Sequence, residues 1–239
     1  MTQLWKNGDS LTLGKYWLNS NLWGAALGSG SQCLWETSQS DATIAWGTRW
    51  DWSGTADAVK SYNCAVLGWH WGWKLSDTDL PLQLCEHRSV QTSWDFHLQE
   101  TTPGGLNVSY DLWLSSDPQL GNANADHEIM IWLYQSGDIR PIGTKQATVT
   151  LGGTNWELWE GSLPQCGWPV HSFVRTANTL SQALNLSEFF DYLIARGLSS
   201  SAYLISVEAG AEVFTGAGQL DTLAYSVEIG GASPRCLFL

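Results

Sequence analysis

Three short segments place acids among apolar residues at the spacing of a strand. Side chains alternate along a strand. In Glu128-Ile-Met-Ile-Trp-Leu133, the residues Ile129, Ile131 and Leu133 suit a core, while Glu128, Met130 and Trp132 share the opposite wall. Between Tyr203 and Phe214, the residues Ser206, Glu208, Gly210, Glu212 and Phe214 share one face, and Ile205, Val207, Ala209, Ala211 and Val213 the other. The small run Ala209-Gly210-Ala211 lets a ligand or another backbone approach closely. A third segment sets Asn107, Ser109, Asp111 and Trp113 opposite Val108, Tyr110 and Leu112. Two facing carboxyls are what glycoside hydrolysis uses. One protonates the leaving oxygen, and the other attacks the anomeric carbon or activates water. A buried Asp111 near Glu128 would tune its neighbour's charge state. Glu208 competes with Glu212 for the acid role, since both lie on one face. Each acid taken alone also fits a solvent-facing position on a strand.

The elements that must hold these acids are strands. Runs of alternating polarity broken by Gly, Asn, Asp and Ser recur throughout, the pattern of a sandwich or barrel. They predict strands over 43–52, 65–73, 93–99, 106–115, 127–134, 146–151, 155–160, 170–175, 202–213 and 219–229. Gly152-Gly153 reads as a tight hairpin turn. One helix interrupts the pattern. Leu186, Phe189, Phe190, Leu193 and Ile194 form an apolar stripe at helical spacing. Asn185 is expected to cap it, with Glu188 completing a capping box and Gly197 supplying the left-handed stop. The stripe should pack against the outside of a sheet. Asn107-Val-Ser and Asn185-Leu-Ser match the glycosylation pattern, but both lie inside expected elements.

Composition narrows the partners. The formal charge of −12 gives no basic stripe for phosphates, so nucleic-acid binding is not expected. A neutral polysaccharide fits better. The 16 tryptophans exceed the needs of a core, and their flat faces stack well on sugar rings; about half are expected to fill the core. No apolar run reaches the roughly 18 residues of a membrane span. Residues 1–10 lack the basic and apolar regions of a signal peptide. Cys33, Cys64, Cys85, Cys166 and Cys236 make an odd count, so at least one thiol is unpaired or bonded to another chain, and none of them has metal-ligand spacing. Scattered cysteines in an acidic chain lean towards a secreted protein. Residues 1–230 read as one domain, and 231–239 as an irregular tail.

Glu128-Ile-Met-Ile-Trp-Leu133 and Ala211-Glu-Val-Phe-Thr-Gly216 resemble the two catalytic motifs of glycoside hydrolase family 12. Asn21-Leu-Trp-Gly24, Trp50-Asp-Trp-Ser-Gly54, Val59-Lys-Ser-Tyr62, Tyr110-Asp-Leu112, Gly137-Asp-Ile-Arg-Pro-Ile-Gly143 and Phe190-Asp-Tyr-Leu193 agree in order, from about Gly14 to Ile229. The resemblance implies an all-β jelly roll of two curved antiparallel sheets, with the short helix on the outer face. It implies retaining hydrolysis of internal β-1,4 bonds in cellulose or mixed-linkage glucan, by a monomer without metal or cofactor. Matched residue by residue, Glu128 is the nucleophile, Glu212 the acid/base and Asp111 an aid to the nucleophile. Asn21, Trp23, Met130, Trp132, Pro141 and Phe214 would line the groove. The stretch Trp69-His-Trp-Gly-Trp73 is similar to that of some members. By alternation His70 faces away from the three indoles, so it points into the groove if they fill the core. Retaining chemistry implies carboxyls roughly 5–5.5 Å apart. A xyloglucan-specific enzyme and a non-catalytic lectin on the same jelly roll are the alternatives. Many members carry an N-terminal cysteine that pairs with one like Cys33; here Gln3-Leu-Trp5 stands in its place, and Val213 stands where many have proline.

Overall fold

Alternating polarity becomes two stacked sheets in the computed structural model, which describes residues 2–40, 42–162 and 167–231. The smaller sheet has the order β1 (Gln3–Leu4), β4 (Gly28–Ser40), β5 (Thr43–Gly54), β17 (Gly216–Ile229), β9 (Val90–Thr102) and β15 (Ser181–Asn185). The larger sheet begins with β12 (Thr144–Leu151), β13 (Thr154–Ser162), β14 (Pro169–Arg175), β11 (His127–Ser136) and β10 (Leu106–Ser115). It continues through β16 (Tyr203–Val213), β6 (Ser61–His70), β3 (Tyr16–Asn19) and β2 (Ser10–Leu13). The short β7 (Trp73–Lys74) pairs with β6, and β8 (Leu82–Gln83) with β16. Among the described residues β11 and β14 are a parallel pair; β10 is antiparallel to both of its neighbours.

The strands expected from alternation are present, most with longer ends. The long β4 was not expected. Its sequence is mostly polar, and Gln32, Cys33 and Leu34 are its buried residues. Backbone pairing to β5 holds it along its whole length, from Gly28 opposite Gly54 to Ser40 opposite Thr43. Where β4 passes Asp51, Gly30 has φ +152°, and a Cβ there would meet the Asp51 carbonyl at 1.9 Å. The Gly152-Gly153 hairpin forms as read, with φ of +56° and +69°.

The core lies between the sheets, and interlocked rings cross it. Trp46 on β5 stacks on Trp94 of β9, with centroids 6.0 Å apart, and meets Tyr225 of β17 edge-on at 5.3 Å. Trp94 meets Tyr110 of β10 at 5.3 Å. This ties the smaller sheet to the strand that carries Asp111 on its other face. Fewer tryptophans than expected serve this core: Trp46, Trp50, Trp52, Trp94 and Trp156. Trp69, Trp113, Trp132 and Trp168 instead form a second cluster on the opposite face of the larger sheet.

The helix α1 (Ser187–Ile194) directly follows β15. Its Phe189 packs edge-on against Trp156 of β13 at 5.3 Å and Phe173 of β14 at 5.0 Å. It covers the core-side face of the larger sheet, away from the second tryptophan cluster. Its start differs from the expected cap. Leu186 is the N-cap and no side chain caps it. The Asn185 carboxamide oxygen accepts from Val90 N at 3.0 Å as well as from Ser187 N at 3.4 Å, and Glu188 accepts from Gly152 N at 2.8 Å, so both side chains also tie neighbouring segments down. The stop is as read. Gly197 has φ +112°, with Gly197 N donating to Ile194 O and Leu198 N to Leu193 O, the paired bonds of a Schellman motif.

Two face assignments are corrected. Ile205 joins the second tryptophan cluster rather than the core. The register skips it, since Trp113 faces Ser206 and Leu114 faces Leu204, and a bulge of this kind swings one residue out of alternation. The indoles of Trp69-His-Trp-Gly-Trp73 do not fill the core either. Gly68 at φ +93° breaks the alternation, and Trp71 (φ +40°) with Gly72 (φ +88°) turns the chain back into β7. Cys33 and Cys64 are buried free thiols, in keeping with the missing N-terminal cysteine, and Cys85 is disulfide-bonded. The tail expected after 230 lies, beyond Gly231, outside the described residues.

Phe189→Ala should lower the unfolding free energy by about 3–5 kcal/mol, the usual result of emptying a buried aromatic site. Guanidinium titration of the variant checks it, with turnover per folded molecule expected to be unchanged.

Candidate active site

The larger sheet carries, on the face opposite the core, a groove of about 630 Å³. Asn21, Trp23, His70, Asp111, Glu128, Met130, Trp132, Pro141, Glu212 and Phe214 all line it. Three neighbouring strands bring the acids together. On β10, Asp111 lies between Met130 of β11 and Glu208 of β16. Glu128 is opposite Trp113, and Glu212 is opposite Asn107. The two glutamates therefore flank β10, with Ser109 and Asp111 on the floor between them.

Among the described residues each glutamate has one built donor. Trp168 Nε1 donates to Glu128 Oε2 at 2.8 Å. Asn107 Nδ2 donates to Glu212 Oε2 at 2.6 Å, and Ser109 Oγ donates to Asn107 Oδ1 at 2.8 Å, which fixes the amide's orientation. Desolvation by the groove walls pushes both glutamates up to about 7. For Glu128 the charges of Glu212 and Glu208 add to this, and the Trp168 bond opposes it; for Glu212 the Asn107 bond opposes it. Asp111 is held well above the usual carboxylate range, by burial first and then by the charges of Glu128, Glu208 and Glu212. A cluster in which burial and like charges suppress ionisation keeps a proton available near neutral pH.

Glu208 does not line the groove. It is fully buried and accepts from Ser206 Oγ at 3.2 Å and Cys64 Sγ at 3.4 Å, with His70 Nδ1 at 2.8 Å. A carboxylate at Nδ1 sets the tautomer of the imidazole, so Glu208 orients the His70 ring at the groove edge.

Backbone contacts aim the remaining side chains. A Cβ on Gly24 would lie 1.9 Å from Val59 O, so only glycine lets this loop press against 59–60 and leave Trp23 55% exposed on the rim. The buried Lys60 ammonium binds Thr55 O and Ala58 O and braces the same rim. Phe214 N and Thr215 N both donate to Gly105 O, which sets Phe214 beyond the end of β16.

Sequence reasoning did not single out Trp168, Asn107 or Trp71 for the site. Alternation places Asn107 on the correct face without giving it a role; its side chain is buried and engaged with Glu212. No local signal marks Trp168, whose place follows from the parallel pairing of Glu128 with Val170.

The model of the family described as Glycosyl hydrolase family 12 matches residues 14–230. The xyloglucan-specific endo-beta-1,4-glucanase A of Aspergillus aculeatus is 37% identical over 92% of this chain and 88% of its own length. Endoglucanase S of Pectobacterium parmentieri is 33% identical over 93% and 86%. Among solved structures, the native family 12 xyloglucanase from Bacillus licheniformis superposes with a TM-score of 0.86 at 32% identity, covering 95% of this chain and all of that one.

Raised glutamate pKa values also set a sign for stability. The folded protein holds these protons at pH values where the unfolded chain has released them. This contribution is complete below about 4.5 and is lost as pH rises through about 7. Glu128→Gln and Glu212→Gln remove the loss. Each variant should match wild type in Tm near pH 4 and exceed it at pH 8, by about 3–6 °C, in calorimetric scans across that range.

Proposed function

The chain belongs to glycosyl hydrolase family 12, and from that membership we propose that Glu128 and Glu212 perform its retaining cleavage of internal β-1,4 bonds in unbranched or mixed-linkage β-glucan. The observation that carries this reading is the pair of desolvated glutamates on one groove, one held by Trp168 and the other by Asn107. The glucan chain lies along the groove with a sugar stacked on Trp23. Glu128 attacks the anomeric carbon while Glu212 protonates the departing oxygen. Glu212 then draws a proton from water, which releases the sugar from Glu128. Asp111, held above the usual carboxylate range by burial and then by the neighbouring acids, assists the nucleophile. His70, Met130, Trp132, Pro141 and Phe214 shape the wall, and Asn21 offers a polar contact. Trp132 Nε1 and Ser172 Oγ are buried without a hydrogen-bond partner among the described residues; sugar hydroxyls are fitting partners for both.

Residues 1–230 act as one catalytic unit in this reading. It works as a monomer outside the cell, because a polymer of glucose cannot enter one. No helix among the described residues is long and apolar enough to cross a membrane. The chemistry is assigned to carboxyls alone, with no cofactor. A second reading, preference for xyloglucan, has support in two similar proteins, the xyloglucan-specific enzyme of Aspergillus aculeatus and the xyloglucanase from Bacillus licheniformis.

Reducing-end release from carboxymethylcellulose, barley β-glucan and xyloglucan ranks these substrates. Glu128→Gln and Glu212→Gln should each lose at least about a thousandfold in kcat on the natural polymer. Cleavage of xyloglucan alone would select the second reading. Binding without cleavage by the wild type would make the chain a lectin. The wild-type kcat/KM should be bell-shaped in pH, falling on the alkaline side near 7 as the pair loses its shared proton.

A further inference from the structure

We propose that Trp168 is a positioning residue for the nucleophile: its indole N–H engages one oxygen of Glu128, leaves the other free to attack, and assists Glu128 as a leaving group in the second step. The proposal rests on Glu128 being the nucleophile. Trp168 is 8% exposed, and its Nε1 lies 2.8 Å from Glu128 Oε2. Its ring is wedged edge-on against Trp113 at 5.4 Å and lies 6.3 Å from Trp71. The backbone is placed with equal care, because Trp168 stands two residues before Val170, the parallel partner of Glu128. Neither ring nor backbone is free to turn the N–H away.

In the first step an Oε1 lone pair forms the bond to the anomeric carbon. The glycosidic bond breaks, and its electron pair goes to the leaving oxygen, which takes the proton of Glu212. Glu128 changes from anion to ester, so the Trp168 bond weakens. In the second step water attacks the same carbon, and its proton goes to Glu212. The ester bond breaks, and its electron pair returns to Glu128. Charge reappears beneath the indole N–H, where a charge-assisted bond is about twice as strong as a neutral one. Removing the donor therefore slows release of the sugar and raises the pH at which Glu128 ionises. The other titratable or charged groups around this space are Asp111 on β10, Glu212 on β16 and His70 on β6, with Glu208 buried beneath the groove surface and Asp57 and Arg140 at the rim. All remain when Trp168 is replaced.

Trp168→Phe keeps a ring and removes the donor. An aryl 2-deoxy-2-fluoro-β-cellotrioside traps the glycosyl-enzyme, and peptide mass mapping locates the label. The label is expected on Glu128 in both proteins. In the variant, release of the trapped sugar should slow by about tenfold, and the acid limb of kcat/KM should move up by about one pH unit, the effect of one hydrogen bond to a charged group. KM should change by less than about threefold, since a lost donor to the nucleophile acts on the chemical steps. Trp168→His, which restores a ring N–H, should lie between the two. Labelling of Glu128 with release rate and acid limb unchanged in Trp168→Phe would make Trp168 a wall residue only and overturn the proposal. A wild-type label on any other residue would instead remove Glu128 as nucleophile, and the proposal with it.

Discussion

Mutual repulsion among desolvated carboxyls is the constraint on which this structure turns. Asp111, Glu128, Glu208 and Glu212 sit on three adjacent strands, and burial pushes Asp111, Glu128 and Glu212 towards their protonated forms. Such a group is tolerable only if some members keep their protons and the others have firm donors. The surroundings meet both demands. Trp168 and Asn107 each serve one glutamate, while Ser206, Cys64 and His70 surround Glu208. The need to retain a proton, which is a liability for stability, is what a general acid requires.

The sheet topology makes this arrangement possible. The strand β10 has an acid-bearing strand on each side, so the two glutamates approach from opposite flanks. The parallel entry of β14 beside β11 brings Trp168 to Glu128 from a third direction. Ring packing through the core holds β10 from behind, so the acids stand on a rigid floor rather than on loops.

Much of this was legible in the sequence. Alternation alone assigned Glu128, Met130 and Trp132 to one wall and Ile129, Ile131 and Leu133 to the other, because a half-buried strand must alternate. The two motifs then ranked Glu212 over Glu208, and the structure places Glu208 beneath the groove surface. What escaped had physical reasons. Backbone pairing rather than apolar alternation holds β4, so its polar sequence gave no signal. A left-handed backbone at Gly68 and a bulge at Ile205 shift side chains to the opposite face, and an uninterrupted alternation hides them. Asn185 and Glu188 suited a helix cap by spacing, but tertiary donors from Val90 and Gly152 compete for the same oxygens. Trp168 depends on a long-range parallel register that no local pattern encodes.

The strand β10 has no idle face. Tyr110 is clamped among Trp94 and Tyr225 on one side, while Asp111, one residue on, feels three other acids on the other. A small rotation of the strand would move both. Repacking the rings behind Tyr110 would therefore also reset the spacing of the acids in front of it, so core and groove cannot be altered independently at this strand.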